Sequence, residues 1–224
     1  MTLNKNAFDR SIQEQIRINQ ARTPTERFLA LCDLLDSLRA MAPMDPESVR
    51  RREAIQRTRE RGIRYAIIGG LAVIQHGRVR STEDVDALIS IPALELPALF
   101  EALRARGFEI DLQRNIRELN DDGTTCIRFA DVLVDLLRPI VPAYSHVLDR
   151  AVTREVLGQK VQIGSIEGLI ITKLMGMRSQ DEADIQELLT AAEGNLDKEF
   201  LRAELASFTS PQDPRRAKLE QWLK

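Results

Sequence analysis

Apolar and polar positions along this chain change period several times. Tyr65 to Ile68 is a short unbroken apolar run stopped by Gly69 and Gly70. A brief apolar segment, a basic and polar loop, and then Asp84-Val85-Asp86 lead into a second apolar run. That succession predicts strand, glycine turn, short helix, loop, strand. Side chains alternate on a strand, so Asp84 and Asp86 should project from one face while Val85 and Ala87 turn to the other.

Downstream, Ala98 to Arg106 has helical spacing closed by Gly107, and Phe108 to Leu112 has the pattern of a short strand. Residues 113 to 121 fit either a helical turn or a strand, ended by Asp122-Gly123. Thr124 to Phe129 and Val132 to Leu137 predict two strands joined at Ala130 and Asp131. A helix is expected around Ser145 to Val152, then paired strands at Glu155 to Leu157 and Lys160 to Ile163 turned at Gly158. Ser165 should cap a helix from Ile166 to about Met177, and Ser179-Gln180-Asp181-Glu182 has the form of a capping box opening another, Gln180 to about Ala192. Two more helices follow, one from about Leu196 to Phe208 and one begun by Asp213-Pro214.

Ahead of the central stretch, residues 1 to 22 are polar with sparse apolar positions. Thr23-Pro24-Thr25-Glu26 opens a helix to about Met41, and Asp45-Pro46 begins a third ending near Gly62. That third helix carries Arg50, Arg51, Arg52, Arg57, Arg59 and Arg61, a pattern most simply read as a solvated face. It favours RNA only if it lies beside a cleft. The expected class is α/β (α+β), a mixed β-sheet flanked by helices. Its parts are a helical N-terminal extension at 1–45, a strand-containing catalytic unit at 46–164 and a helical C-terminal part at 165–224.

With 43% hydrophobic and 29% charged residues in 224, the composition is that of an ordinary globular protein. A net charge of −2 announces neither nucleic acid nor an anionic membrane. Two cysteines, Cys32 and Cys126, argue against a disulfide framework and fit a reducing compartment. No apolar stretch approaches the roughly 20 residues that span a bilayer, and the N-terminus has no signal-like apolar core. The expectation is a cytoplasmic protein with no membrane partner. Two histidines and two separated cysteines do not make a zinc site. His76 is expected at a helix C-terminus, where a cation is favourable, His146 is expected to be structural, and Trp222 suits a packing or oligomer contact.

The chemistry lies in the carboxylates. Asp84 and Asp86 on one strand face repel each other, and a chain keeps such a pair most readily around a cation, magnesium being the usual one. Asp135, within Val-Leu-Val-Asp-Leu-Leu, is costly to bury unless it meets a partner or projects into a site. If the two strands are neighbours, the three acids can surround two magnesium ions, or manganese in their place, as suits an in-line phosphoryl or nucleotidyl displacement. The N–H groups at Gly69 and Gly70, free of Cβ obstruction, can approach a triphosphate. Each feature also has a plainer reading: a turn for Gly-Gly, chance for D-x-D, loop ordering for Arg80 and Thr82, a snorkelling side chain for Lys173, and a helix-dipole partner for Asp181.

Gly69-Gly70, then R-x-T-x-D-x-D at Arg80, Thr82, Asp84 and Asp86, then V-D-L-L at 134 to 137, together resemble the polymerase-β-type nucleotidyltransferase superfamily. The later E-G-L-I-I-T-K-L-x-x-x-R-x-x-D-x-x-D-I, from Glu167 to Ile185, is similar to the AbiEii-type toxins of type IV toxin–antitoxin systems and their relatives. The resemblance spans roughly residues 62 to 190 and implies a nucleotidyltransferase fold. It implies metal ligation by Asp84, Asp86 and Asp135, with Asp135 the base for an acceptor hydroxyl. Lys173, Asp181 and Asp184 match the family's downstream motifs, with the lysine near the nucleotide phosphates. The implied partners are a nucleoside triphosphate, an acceptor that is RNA (tRNA ends included), protein or a small molecule, and a cognate antitoxin. Gly69-Gly70 departs from the Gly-Ser of many members, which removes a hydroxyl from the phosphate site. The competing expectation is therefore a weak or inactive enzyme that acts by binding a partner.

Overall fold

The computed structural model describes residues 63–76, 84–129, 132–156 and 159–224. The helices expected before residue 62, with their arginines, and both Arg80 and Thr82 lie outside the described residues.

Tyr65, Ala66, Ile67 and Ile68 are all buried, and they form the centre of the sheet as β1 (Arg64–Ile68). The chain turns directly into α1 (Gly69–Gln75), so the glycine pair is the first turn of the helix rather than a separate element. β2 (Asp84–Ser90) returns antiparallel to β1. α2 (Leu96–Ala105) buries Leu96, Leu99, Phe100 and Leu103, a spacing of three to four that puts one face on the core. α3 (Leu112–Asp121), β3 (Thr124–Phe129) and β4 (Val132–Leu137) follow. α4 (Pro142–Asp149), β5 (Val152–Val156) and β6 (Gln159–Ile163) lead to α5 (Ile166–Gly176), α6 (Asp181–Ala191), α7 (Lys198–Phe208) and α8 (Pro214–Trp222).

The six strands among the described residues lie in the order β3-β4-β2-β1-β6-β5. β1 and β6 are parallel, as are β2 and β4, and the remaining pairs are antiparallel. The expected mixed α/β architecture is therefore the one present. β3 and β4 alternate strictly: Thr125, Ile127 and Phe129, with Val132, Val134 and Leu136, are buried, while Thr124, Cys126, Arg128 and Leu133 are exposed. The covered face of this half of the sheet meets α2 and α3. The opposite face is the more open one along β3 and β4, and half-buried Asp135 stands on it, with exposed Asp84 and half-buried Asp86 on the same side of β2. Among the described residues no helix is long and apolar enough to cross a membrane.

Three local expectations are corrected. Phe108 to Leu112 forms only one bridge, Glu109 to Arg128, because Asp111 instead caps α3 by accepting from the Arg114 N–H at 3.0 Å. Phe108 keeps a core role by stacking on Phe129, with ring centroids 4.5 Å apart. α4 starts at Pro142 rather than Ser145, since proline is pre-organised for a first helical turn. The capping box at Ser179 does not form: Gln180 is the cap residue without a side-chain bond, and the Asp181 carboxylate turns back to the Arg178 N–H at 2.7 Å.

α3 is tied to β3 by a fully buried amide. Asn115 donates through Nδ2 to Thr125 Oγ1 at 2.8 Å and to the Cys126 carbonyl at 3.2 Å, and its Oδ1 accepts from the Asp111 N–H at 2.9 Å. Asn115→Leu strands these buried partners and is expected to destabilise the fold by about 2–3 kcal/mol, measured as a lowered urea midpoint with an unchanged slope.

Candidate active site

Asp86 is set by register. It pairs with Asp135 across the parallel β2–β4 ladder and with Ile68 across the antiparallel β1–β2 ladder. Asp84, two residues earlier on the same face, lies opposite Leu133. Val85 and Ala87 are buried on the other face, as the alternation predicts. Adjacent strands lie about 4.8 Å apart, so the two paired acids are nearest neighbours. Among the described residues no three His, Cys, Asp or Glu side chains are already gathered as a metal cage.

Gly69 is the residue that lets Asp86 fit. Its φ is +66°, and a Cβ there would stand 1.8 Å from Asp86 Oδ2 and 2.5 Å from Asp86 Cγ. Conformation and space therefore both demand glycine. The sequence raises the expectation that Gly69 and Gly70 meet a triphosphate; what the fold shows is a separate reason for glycine at the first of them, the room it leaves for Asp86.

The Asp86 carboxyl is pushed up from 3.8 to about 6, first by burial, then by the charge of Asp135, with Asp84 adding to it and Lys173 and Arg178 opposing. Cys126 faces Asp135 across the β3–β4 pair, and its thiol is pushed up to about 11 by burial and by the neighbouring acid. Tyr144 on α4 is raised by burial first and by the Asp86 charge second. Tyr144, Cys126 and Arg178 are thus electrostatically part of the acidic site, a membership that hydrophobic patterning alone does not assign.

Lys173 lies near this site but is engaged elsewhere. It is buried in α5, with Nζ 2.6 Å from Asp184 Oδ2 and 3.0 Å from Asp181 Oδ1, and both acids belong to α6. The three downstream residues singled out from sequence are therefore together. Arg80 and Thr82 are outside the described residues.

His76 caps the end of α1 as expected, but as a neutral ring. Burial lowers its pKa, and Nε2, 2.9 Å from the Gly164 carbonyl, carries the proton, since a carbonyl only accepts. His146 joins α4 to α7 through Glu204 at 2.7 Å.

The family model described as "Nucleotidyl transferase of unknown function (DUF2204)" matches residues 48–219, more than two thirds of the sequence. The chain belongs to this family. No curated protein matches it. Two solved structures are similar in outline. An antigenic nucleotidyltransferase-like protein from Paracoccidioides brasiliensis is 18% identical over 85% of this chain and 91% of its own, with a TM-score of 0.41. The antibiotic-resistance factor ANT(2'')-Ia is 20% identical over 75% of this chain and 91% of its own, with a TM-score of 0.42.

In a nucleotidyl transferase the donor set of Asp84, Asp86 and Asp135 is chemically suited to a hard divalent ion: it is all oxygen, on the open face of the sheet, with a repulsion a cation would relieve. Burial of Asp86 first, and that repulsion second, make its charge a stability cost. Its folded pKa is above its unfolded value, so the stability it contributes is present below about pH 4 and lost as pH rises through about 6. Metal-free Asp86→Asn is accordingly expected to melt higher than wild type well above pH 6, by on the order of 2–3 kcal/mol. Any stabilisation that added magnesium confers on wild type should be lost in the variant. Equal melting of the two metal-free proteins at every pH would contradict this.

Gly69→Ala is expected to displace the Asp86 carboxylate and strain the turn by about 1–3 kcal/mol. Thermal melting and magnesium titration of the variant check both effects.

Proposed function

We propose that this nucleotidyl transferase moves a nucleoside monophosphate from a nucleoside triphosphate to an acceptor hydroxyl and releases pyrophosphate. Asp84, Asp86 and Asp135 hold magnesium, as two ions, with manganese as a substitute. The observation that carries this reading is the Asp86–Asp135 register pair beneath Gly69, two neighbouring acids on an open face with one of them raised to about 6. Bound divalent ions supply charge neutralisation at the attacking and leaving oxygens. An Asp135 carboxylate oxygen takes the proton of the acceptor hydroxyl, the acceptor oxygen bonds to the α-phosphorus, and the bond from the α-phosphorus to the α,β-bridging oxygen breaks, its electron pair leaving with pyrophosphate. Positioning on a rigid sheet is the protein's main contribution to such a transfer.

The acceptor is an RNA, a protein side chain or a small molecule. The resemblance of Glu167 to Ile185 to the AbiEii-type toxins supports a toxin–antitoxin setting with an antitoxin partner in the cytoplasm.

Label transfer from each α-labelled nucleoside triphosphate into RNA, protein and small-molecule fractions tests this. Wild type should label one fraction, and Asp86→Asn should reduce that label at least about 100-fold. A folded wild-type protein that labels nothing would overturn the reading. Because a proton competes with the metal at Asp86, apparent magnesium affinity should weaken about tenfold per pH unit below about 6. A magnesium titration at several pH values measures it.

A further inference from the structure

A bound triphosphate brings three to four negative charges to a site already holding three acids, so the chain must supply cations. Two described cations oppose the charge on Asp86: Lys173 and Arg178. They differ in availability.

The Lys173 ammonium is buried and shared between Asp181 Oδ1 at 3.0 Å and Asp184 Oδ2 at 2.6 Å, with the two acids 4% and 1% exposed. Drawing it out to a phosphate would take the ammonium away from two buried carboxylates, a larger loss than one phosphate contact returns. Arg178 is the reverse case. Its side chain is exposed, and its guanidinium makes no hydrogen bond or ion pair among the described residues. Its backbone, in contrast, is fixed. Met177 before it is in the left-handed region at φ 46°, ψ 43°, and the Arg178 N–H donates to Asp181 Oδ2 at 2.7 Å. A Cβ on Gly176 would stand 3.3 Å from that same oxygen, so Asp181 packs tightly under the whole α5–α6 turn. Asp181 thus serves two ends: one oxygen holds Lys173, and the other holds the turn that presents Arg178.

A guanidinium offers a planar fork of donors that matches phosphate oxygens and is never deprotonated at working pH. Lys173, shut in its cluster, supplies charge through space and rigidity through its pairs.

We propose that Arg178 contacts the phosphates of the nucleoside triphosphate, and that the buried Asp181–Lys173–Asp184 cluster positions the turn carrying it. The inference rests on the proposed transfer reaction and assigns the phosphate contact within it.

The experiment is a titration of full-length protein, with magnesium, against a non-hydrolysable nucleoside triphosphate and the matching monophosphate. The proteins are wild type, Arg178→Gln, Arg178→Lys, Asp181→Asn and the double variant Arg178→Gln/Asp181→Asn. Arg178→Gln should weaken triphosphate binding at least about tenfold, leave monophosphate binding and the melting temperature unchanged, and be partly restored by Arg178→Lys. In turnover the same variant should raise KM more than it lowers kcat. Asp181→Asn leaves Lys173 paired with Asp184, so it should fold. It should weaken triphosphate binding and add little to Arg178→Gln in the double variant. If Lys173 itself grips the phosphates, removing one of its two carboxylate partners by Asp181→Asn should tighten binding, and that result overturns the proposal. Unchanged triphosphate affinity in Arg178→Gln also overturns it while leaving the transfer reaction intact. Wild type that binds no triphosphate removes both.

Discussion

Two carboxylates are forced to be neighbours by a strand register, and much of the described structure follows from that. Asp86 on β2 and Asp135 on β4 cannot be moved apart without sliding one strand, and a one-residue slip would throw the buried Val85, Ala87, Val134 and Leu136 onto the open face. The core therefore holds the acids together against their repulsion. Gly69 completes the constraint from the other side, because only a residue without Cβ leaves room for Asp86 where β1 turns into α1. Repulsion stored this way is characteristic of a site that expects a cation, and it costs the unliganded fold.

The helical half extends the same arrangement. α5 leads from the end of β6, next to β1, and its Lys173 brings a positive charge within reach of Asp86 while remaining locked between Asp181 and Asp184. Those pairs join α5 to α6 through a buried ionic cluster, and one of the acids also orders the turn that ends at Arg178. The chain belongs to a nucleotidyl transferase family, and the proposed reaction would make use of this electrostatics. The acids would hold metal, and the exposed cation beyond them would meet the phosphates.

Strands were the most legible part of the sequence. β3 and β4 begin and end where their alternation predicts, since each buries every second residue. Phe129 pairs with Val132, and the antiparallel register that follows from this puts Cys126 opposite Asp135. The acids of β2 and β4 were readable for a similar reason: a period of two fixes their face, and an Asp in an apolar strand has few other uses. Helix boundaries were less legible where side chains had competing partners. Ser179 to Glu182 has the letters of a capping box, but Asp181 is drawn to Lys173 and to the Arg178 N–H, and no local pattern reveals a partner eight residues away. Phe108 to Leu112 failed likewise, with the Asp111 cap outweighing a weak strand pattern. Tyr144 carried no local signal, because its nearness to Asp86 is created by the packing of α4 on the sheet.

The central claim is that Asp86 and Asp135 together bind a divalent ion that a nucleoside triphosphate shares. Crystals grown with manganese and a non-hydrolysable triphosphate, measured for anomalous scattering, test it most directly. The account requires an anomalous peak between the two carboxylates, in contact with the phosphates. An ordered nucleotide with no peak there, or a peak held by other residues, would contradict it.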